Sequence, residues 1–387
     1  MKKLFALLAF CVSLSAFGQP SYDSMYAVLD TAKAKNRVNT LNELCKLSIN
    51  TNPQNALEFT KTALELAIKL DYKRGVAVSY NNLGVLYKNT GIYDKAIDYY
   101  IQSLEIHQAI KDQKGIASSK NNIGTIYSVK GNHELALKYF TESYDIVRES
   151  GDEEKIVGSL NNIGNVYLGM GNIEKALSYF TDAVNMYERI GQKNKAFDPL
   201  NSLGNIYYYQ QEYDRALDYY SLSLLIEQEN NNKSGQAYAH NNIGAVYQKK
   251  ADMNKAVEHH MKALVLADEL GAKPMLQTIY KSLSETYYEQ KRIDDAYQAL
   301  LMHSQLKDFV HNEESSRKLA RLEVAMEIKE KEKQLELNKK QSTINELEDQ
   351  NHKTIIIVSV MAFMLLSAFL FVYITVKNKL KIGDDKS

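Results

Sequence analysis

Residues Asn81–Asp112 read NNLGVLYKNTGIYDKAIDYYIQSLEIHQAIKD, and apolar side chains recur along them at helical spacing. Leu83, Leu86 and Tyr87 form one stripe; Ala96, Ile97, Tyr100, Leu104 and Ile106 or His107 form another. Asn89, Thr90 and Gly91 lie between them and supply a turn, because glycine takes the left-handed conformation after a helix without a Cβ clash. The stretch therefore predicts a helix, a tight turn and a second helix. It also repeats. Gly84 returns as Gly124, Gly164, Gly204 and Gly244, each followed three positions later by a tyrosine, and Ala96 returns as Ala136, Ala176, Ala216 and Ala256. A fixed period of this length marks a solenoid, whose units bury their apolar faces against neighbouring units and which presents surfaces rather than enclosed active sites. Glycine inside a helix costs about 1 kcal/mol relative to alanine. Its recurrence, with that of the small Ala96 series, therefore predicts close helix packing, with Gly84, Tyr87, Ala96, Tyr100 and their equivalents in the core.

The order Leu83-Gly84, Tyr87, Gly91, Tyr93, Ala96 and Tyr100 resembles the tetratricopeptide repeat, in the longer variety with an extended second helix. Gly124 to Phe140, Gly164 to Phe180, Gly204 to Tyr220 and Gly244 to His260 follow the same pattern. Upstream, Leu44, Leu47, Ala56 and Lys61 keep the register without the Gly and Tyr; downstream, Ser284, Tyr287 and Ala296 keep it with Ser for Gly. Atypical end units suit a solenoid, whose terminal faces meet water. The resemblance implies an all-α, right-handed superhelical solenoid of about seven hairpins. Its expected bounds are 38–311, in units 41–80, 81–120, 121–160, 161–200, 201–240, 241–280 and 281–311, after a capping helix within 19–37 from Tyr22 to Lys35.

The two ends point to an envelope. Met1-Lys2-Lys3 is a short basic start, Leu4 to Phe17 is too short an apolar run to span a bilayer, and Ala16-Phe17-Gly18 places small residues at a cleavage site. Residues 1–18 read as a signal peptide. Phe10 before Cys11 is bulky where lipoprotein processing needs a small residue, so no lipid anchor is expected. Residues 354–376, with the uncharged run Ile355 to Val376, can cross about 30 Å of hydrocarbon as a helix. Lys377, Lys379 and Lys381 follow it and place the tail, 377–387, in the cytoplasm. The repeats are then expected outside an inner membrane and the C-terminus inside.

Residues 312–353 lack Gly and Pro and are rich in Glu and Lys, which predicts one continuous helix. Leu319, Leu322, Ile328, Leu335, Leu337, Ile344 and Leu347 give partial heptads, interrupted by Glu330, Lys333 and Lys340. Two readings stay open, a parallel coiled coil that makes a homodimer and a solvated single helix. At 1.5 Å per residue, about forty residues make a rod of roughly 60 Å that could carry a rotation or a shift to the membrane.

Composition narrows the function. Lys+Arg and Asp+Glu are both 47, so no large basic surface argues for nucleic acid. Once residues 1–18 are removed, Cys45 is the one cysteine left, so no internal disulfide is expected and it reads as a small buried or groove residue, a reactive thiol being the weaker alternative. His259 and His260 fall where other units have Tyr99-Tyr100, Tyr139-Phe140, Tyr179-Phe180 and Tyr219-Tyr220, and adjacent helical residues diverge, so they read as substituted aromatics rather than metal ligands. No phosphate loop, zinc motif or nucleophile elbow is present. No enzyme activity, metal or cofactor is expected.

In tetratricopeptide arrays the first helix of each hairpin lines a concave groove. The resemblance maps groove positions onto Asn81, Asn121, Asn161, Asn201 and Asn241. A second row follows at Val85, Thr125, Asn165, Asn205 and Ala245, and a third at Lys88, Ser128, Leu168, Tyr208 and Gln248. Spacing i, i+4, i+7 keeps the rows on one face. Side-chain amides offer a donor and an acceptor and so suit an extended peptide backbone. The alternative is that they tie neighbouring helices together, and since Asn82, Asn122, Asn162 and Asn242 repeat too, one row belongs to the scaffold. The whole layout also resembles the sensory half of bacterial membrane proteins in which such repeats precede a histidine kinase or a helix-turn-helix domain. It departs from them because only about eleven residues, Lys377 to Ser387, follow the span, too few for such a domain. The expected partners are thus a protein or peptide ligand, the membrane, and a separate cytoplasmic kinase or regulator; an assembly scaffold that only tethers its partner is the other reading.

Overall fold

The computed structural model describes residues 22–384. They fall into two units, one reaching Val324 and one starting at Ala325. The first opens with α1, Tyr22–Thr31, and continues through hairpins of paired helices. These are α2 (Ala34–Ser48) with α3 (Pro53–Lys69), α4 (Lys73–Thr90) with α5 (Tyr93–Ala109), α6 (Gln113–Val129) with α7 (His133–Ser150), and α8 (Glu153–Gly169) with α9 (Ile173–Arg189). Then come α10 (Phe197–Tyr209) with α11 (Tyr213–Glu229), α12 (Lys233–Lys249) with α13 (Met253–Glu269), and α14 (Lys273–Glu289) with the start of α15 (Ile293–Asp384). The described chain is an all-α, right-handed solenoid followed by one long helix. Asn81, where the sequence period is most visible, lies midway along α4, so the first helices begin about two turns upstream of the asparagine row, except α10, which begins about one turn before Asn201.

The core explains the sequence period. Leu83, Leu86, Tyr87, Ala96 and Tyr100 are all buried, and the same positions are buried or half-buried in later hairpins, except that Leu300, the equivalent of Tyr100 in the last one, is exposed. A Cβ added at Gly124 would lie 2.9 Å from the ring of Phe140, and one at Gly164 would lie 2.9 Å from Phe180, so the glycine leaves room for the ring of the second helix. The tyrosine three residues on stacks with a ring of that helix. Centroids are 5.4 Å apart for Tyr87–Tyr99, 5.7 Å for Tyr127–Tyr139, 5.5 Å for Tyr167–Tyr179 and 5.4 Å for Tyr207–Tyr219. Lys95, Lys175 and Arg215 lie over the first ring of three of these pairs, at 5.0, 4.8 and 3.8 Å.

Every connection from α3 to α15 turns on a residue in the left-handed region. Gly91, Gly131, Gly151, Gly171, Gly191 and Gly271 do so as expected, while Asp71, Lys111, Gln211, Asn231, Ala251 and Lys291 adopt the same conformation without glycine. Backbone bonds such as Asn132 N–H to the Tyr127 carbonyl (2.9 Å) and Asp252 N–H to the Tyr247 carbonyl (2.9 Å) close both kinds of turn. The fifth hairpin departs from the pattern. A short 3-10 turn, Lys193–Lys195, precedes α10, and Pro199 sits in the first turn of that helix, where its missing N–H costs nothing.

At the N-terminal end, α1 stops at Thr31 and Val38, Leu41 and Leu44 of α2 share a core with Leu29. Cys45 is fully buried, and burial pushes its thiol up to about 11, which makes it an inert core residue. At the other end of the array, the first turns of α15 complete the seventh hairpin. Ala299 and Leu306 join the α14 core, and Ser284 Oγ donates to the Ala296 carbonyl at 2.9 Å. The second unit is helical from Ala325 to Asp384. Among the described residues it contains one segment, Lys340–Ala368, long and apolar enough to cross a membrane, whose apolar stretch is not buried. The expected signal peptide, 1–18, lies outside the described residues.

Candidate functional site

The first helices of successive hairpins form one layer of the solenoid, close enough for side-chain amides to bond across them. Asn122 Nδ2 donates to Asn81 Oδ1 at 2.8 Å, Asn162 Nδ2 to Asn121 Oδ1 at 3.0 Å, and Asn242 Nδ2 to Asn201 Oδ1 at 3.0 Å. At these three junctions the second asparagine of a unit binds the first asparagine of the preceding one. At the N-terminal end Asn82 Nδ2 donates to both the side chain (3.0 Å) and the carbonyl (3.2 Å) of Asn42. Position 202 is serine, and Asn161 Oδ1 is buried without a hydrogen-bond partner. Asn241 Oδ1 accepts from His260 Nδ1 at 2.9 Å. The acceptor half of the first row is therefore engaged in the scaffold at Asn81, Asn121, Asn201 and Asn241.

The other predicted positions vary. Asn165 is exposed on α8. Asn205 Oδ1 accepts from Tyr220 Oη at 2.7 Å, and Gln248 Nε2 donates to Glu289 Oε1 at 3.1 Å. Tyr208 is half-buried and meets Tyr209 and Tyr213 edge-on, with centroids 5.7 and 5.9 Å away. Lys88 is half-buried near the end of α4.

Two clefts open at equivalent places along the layer, two hairpins apart. The first, of about 330 Å³, lies between α6, α7 and α8 and is lined by Asn121, Asn162, Ser118, Val147, Lys114 and Lys155 among others. The second, of about 200 Å³, lies between α10, α11 and α12, where Asn201 takes the place of Asn121, Asp198 that of Ser118 and Glu227 that of Val147. Glu227 is 3 % exposed, and burial holds its carboxyl above the usual range. The sequence reading missed both acids. The signal lay in the register: Glu227 stands at a core position that other hairpins fill with His107, Tyr187 or Ala267.

The histidines behave as aromatic substitutes. His260 is fully buried against Gly244, where Phe140 and Phe180 meet their own glycines, and its Nε2 has no hydrogen-bond partner. His259 packs 5.6 Å from Tyr247, in the place of the stacking tyrosine, and its Nδ1 is 3.1 Å from Nδ1 of His240. Burial, reinforced by His259, pushes His260 down to about 4; burial and then His259 push His240 to about 4. Among the described residues, no group of three or more His, Cys, Asp or Glu is placed to hold a metal ion.

The family description that matches this sequence is the tetratricopeptide repeat, over residues 47–109, 115–189 and 195–264, just over half of the chain. No curated protein matches it in sequence. Several solved structures are similar in fold. A STAND signal-transduction ATPase with a tetratricopeptide repeat sensor from Pyrococcus horikoshii superposes with a TM-score of 0.65 at 21% identity, over 75% of this chain and 45% of that one. A Rap protein complexed with competence and sporulation factor gives 0.53 at 16% identity, over 75% and 80%. Aspartyl phosphate phosphatase F from Bacillus subtilis gives 0.51 at 18% identity, over 76% and 86%.

Proposed function

Since the chain belongs to the tetratricopeptide repeat family, we propose that it is a membrane-anchored binding protein whose first-helix layer captures a protein or peptide. The observation that carries this reading is the pair of clefts at equivalent points of that layer, each bordered by the asparagine seam. Periodic, largely neutral polar groups suit the periodic backbone of an extended partner better than they suit catalysis. The segment Lys340–Ala368 supports anchorage in an inner membrane, with the repeats outside and the lysine-bearing tail inside. The protein would carry occupancy of its repeats across the bilayer through 312–353 to a separate cytoplasmic kinase or regulator, either as a homodimer through that segment or as a single helix.

Crosslinking in cells, followed by affinity purification of the full-length chain from membranes, tests this. Asn165 is exposed and outside the seam, so Asn165→Arg should leave thermal unfolding unchanged and reduce partner capture. Equal capture by wild type and variant would remove the proposed face. The second reading is an envelope scaffold that only tethers its partner, and the segment Lys340–Ala368 would serve it equally well as an anchor. Insertion of two residues near Gln341 would rotate a helix by about 200° and abolish output from a transmitting rod, whereas a tether would tolerate it.

A further inference from the structure

The 200 Å³ cleft between α10, α11 and α12 is lined by two acids and by no Lys or Arg. Glu227 lies deep in it, while Asp198 and Tyr238 stand exposed at its mouth. The Asn232 side chain partly opposes the effect of burial on the Glu227 carboxyl, yet Oε2 has no partner in the protein. Gly235 lets the carboxyl sit against the start of α12, since a Cβ there would run into it. A cap for α12 would be the structural explanation of that position. Asn232 already fills that role, accepting from Gly235 N–H at 3.3 Å. The start of the helix favours the ionised carboxylate, and a buried oxygen without a donor is costly. Glu227 lines the cleft, so its carboxyl is suited to a donor that enters from outside.

Nearby lysines do not supply it. Lys193 pairs with Glu188, Lys195 with Glu154 at 2.6 Å and Lys233 with Glu269 at 2.8 Å. The fold does not impose the acidity either. The equivalent cleft two hairpins earlier has Val147 and Ser118 in place of Glu227 and Asp198, and its lining includes Lys114 and Lys155.

We propose that this cleft receives the ammonium or guanidinium of one Lys or Arg side chain of the bound polypeptide, with Glu227 and Asp198 as counter-charges and Phe197 and Tyr238 along the aliphatic stem. The proposal rests on the reading of the first-helix layer as the binding face, because Asn201 belongs both to the asparagine seam and to the cleft. The volume agrees with it. At several times the share of one water, about 30 Å³, the cleft accommodates a headgroup and its stem but no folded element.

The test pans random heptapeptides on the full-length chain in detergent micelles, with wild type and Glu227→Gln side by side. Peptides retained by the wild type are expected to carry Lys or Arg at one fixed position. Acetylating that lysine, or moving to Glu227→Gln, should weaken binding about tenfold or more, the scale of a hydrogen bond to a charged group. The thermal midpoint of Glu227→Gln should equal or exceed that of the wild type, which separates lost binding from lost folding. Asp198→Asn, at the exposed mouth, should weaken the same peptides by a smaller factor and gives a second readout. Peptides that bind without a basic position, or bind Glu227→Gln equally well, would overturn this assignment and leave the binding face standing. Spermidine bound more tightly than any such peptide would overturn it in favour of a free polyamine. Recovery of no peptide at all would count against both the cleft assignment and the binding face.

Discussion

Asn161 and Ser202 hold the seam positions of the fourth and fifth hairpins, where the amide bond is missing, and the junctions that keep it show what is lost there. Asn122, Asn162 and Asn242 each donate to the residue forty-one positions earlier, but serine at 202 leaves Asn161 Oδ1 buried and unpartnered. Ser202→Asn restores the donor and should stabilise the array by about 1 kcal/mol, read as a higher denaturant midpoint; no change would mean that Asn161 is relieved by solvent. His260 gives the opposite case, a side chain that fits its site only when neutral. Its pKa is about 4 in the folded chain against 6.5 for the free side chain. The unfolded chain therefore takes up the proton first as pH falls. Stability is complete above pH 6.5 and is lost progressively toward pH 4. His260→Phe, the residue found at 140 and 180, removes that loss. The variant should gain about 2 kcal/mol over wild type at pH 5 relative to pH 7, beyond a constant offset for the lost bond to Asn241. A pH-independent difference would show that the buried ring protonates freely. The core residues were legible in the sequence because packing alone decides them: Gly84, Ala96 and Tyr100 can only be small, small and large where two helices touch. The asparagines were not, because both rows repeat equally and only the crossing of neighbouring helices decides which amide meets which oxygen. Glu227 escaped notice for a related reason, since a single acid in a long helix reads as solvated until the third dimension buries it.

Among the elements, the turns divide into those the sequence announces and those that packing imposes. Gly91, Gly131 and Gly171 take the left-handed conformation readily, whereas Gln211, Ala251 and Lys291 are held at the same place, with φ of 64°, 60° and 62°. The helices on either side fix the geometry. At these positions the side chain bears the strain, so Ala251→Gly should raise stability by about 0.5–1 kcal/mol despite the extra entropy of the unfolded chain. Thermal or denaturant unfolding checks this; a loss would show that glycine's entropy outweighs the relief of strain. Hairpin number was legible because the period survives substitution of its glycines, with Ser284 standing in at the last unit. The late start of α10 was not, although Pro199 is plain in the sequence, because the 3-10 turn before it depends on how the chain leaves α9.

At the scale of the repeat array, each hairpin packs on its neighbours in sequence, so stability is a chain of local terms rather than one shared core. The seam of amides is one such term, and it is a line of stitches running along the array. The stitch is absent between the sixth and seventh hairpins, where residue 282 is serine and His260 takes Asn241 Oδ1 instead. It is also absent between the fourth and fifth, where the shortened α10 begins and Asn161 Oδ1 is left without any partner. Load applied along a stitched seam is borne in series, so the weakest joint yields first. Pulled from its two ends in a single-molecule experiment, the array should part first between α9 and α10, and Ser202→Asn should raise that first rupture force; a first break elsewhere would show that ring packing, and not the seam, carries tension. The repeat array therefore has a built-in tear line, and tension reaching it would divide the solenoid into a block of four hairpins and a block of three before either block unfolds.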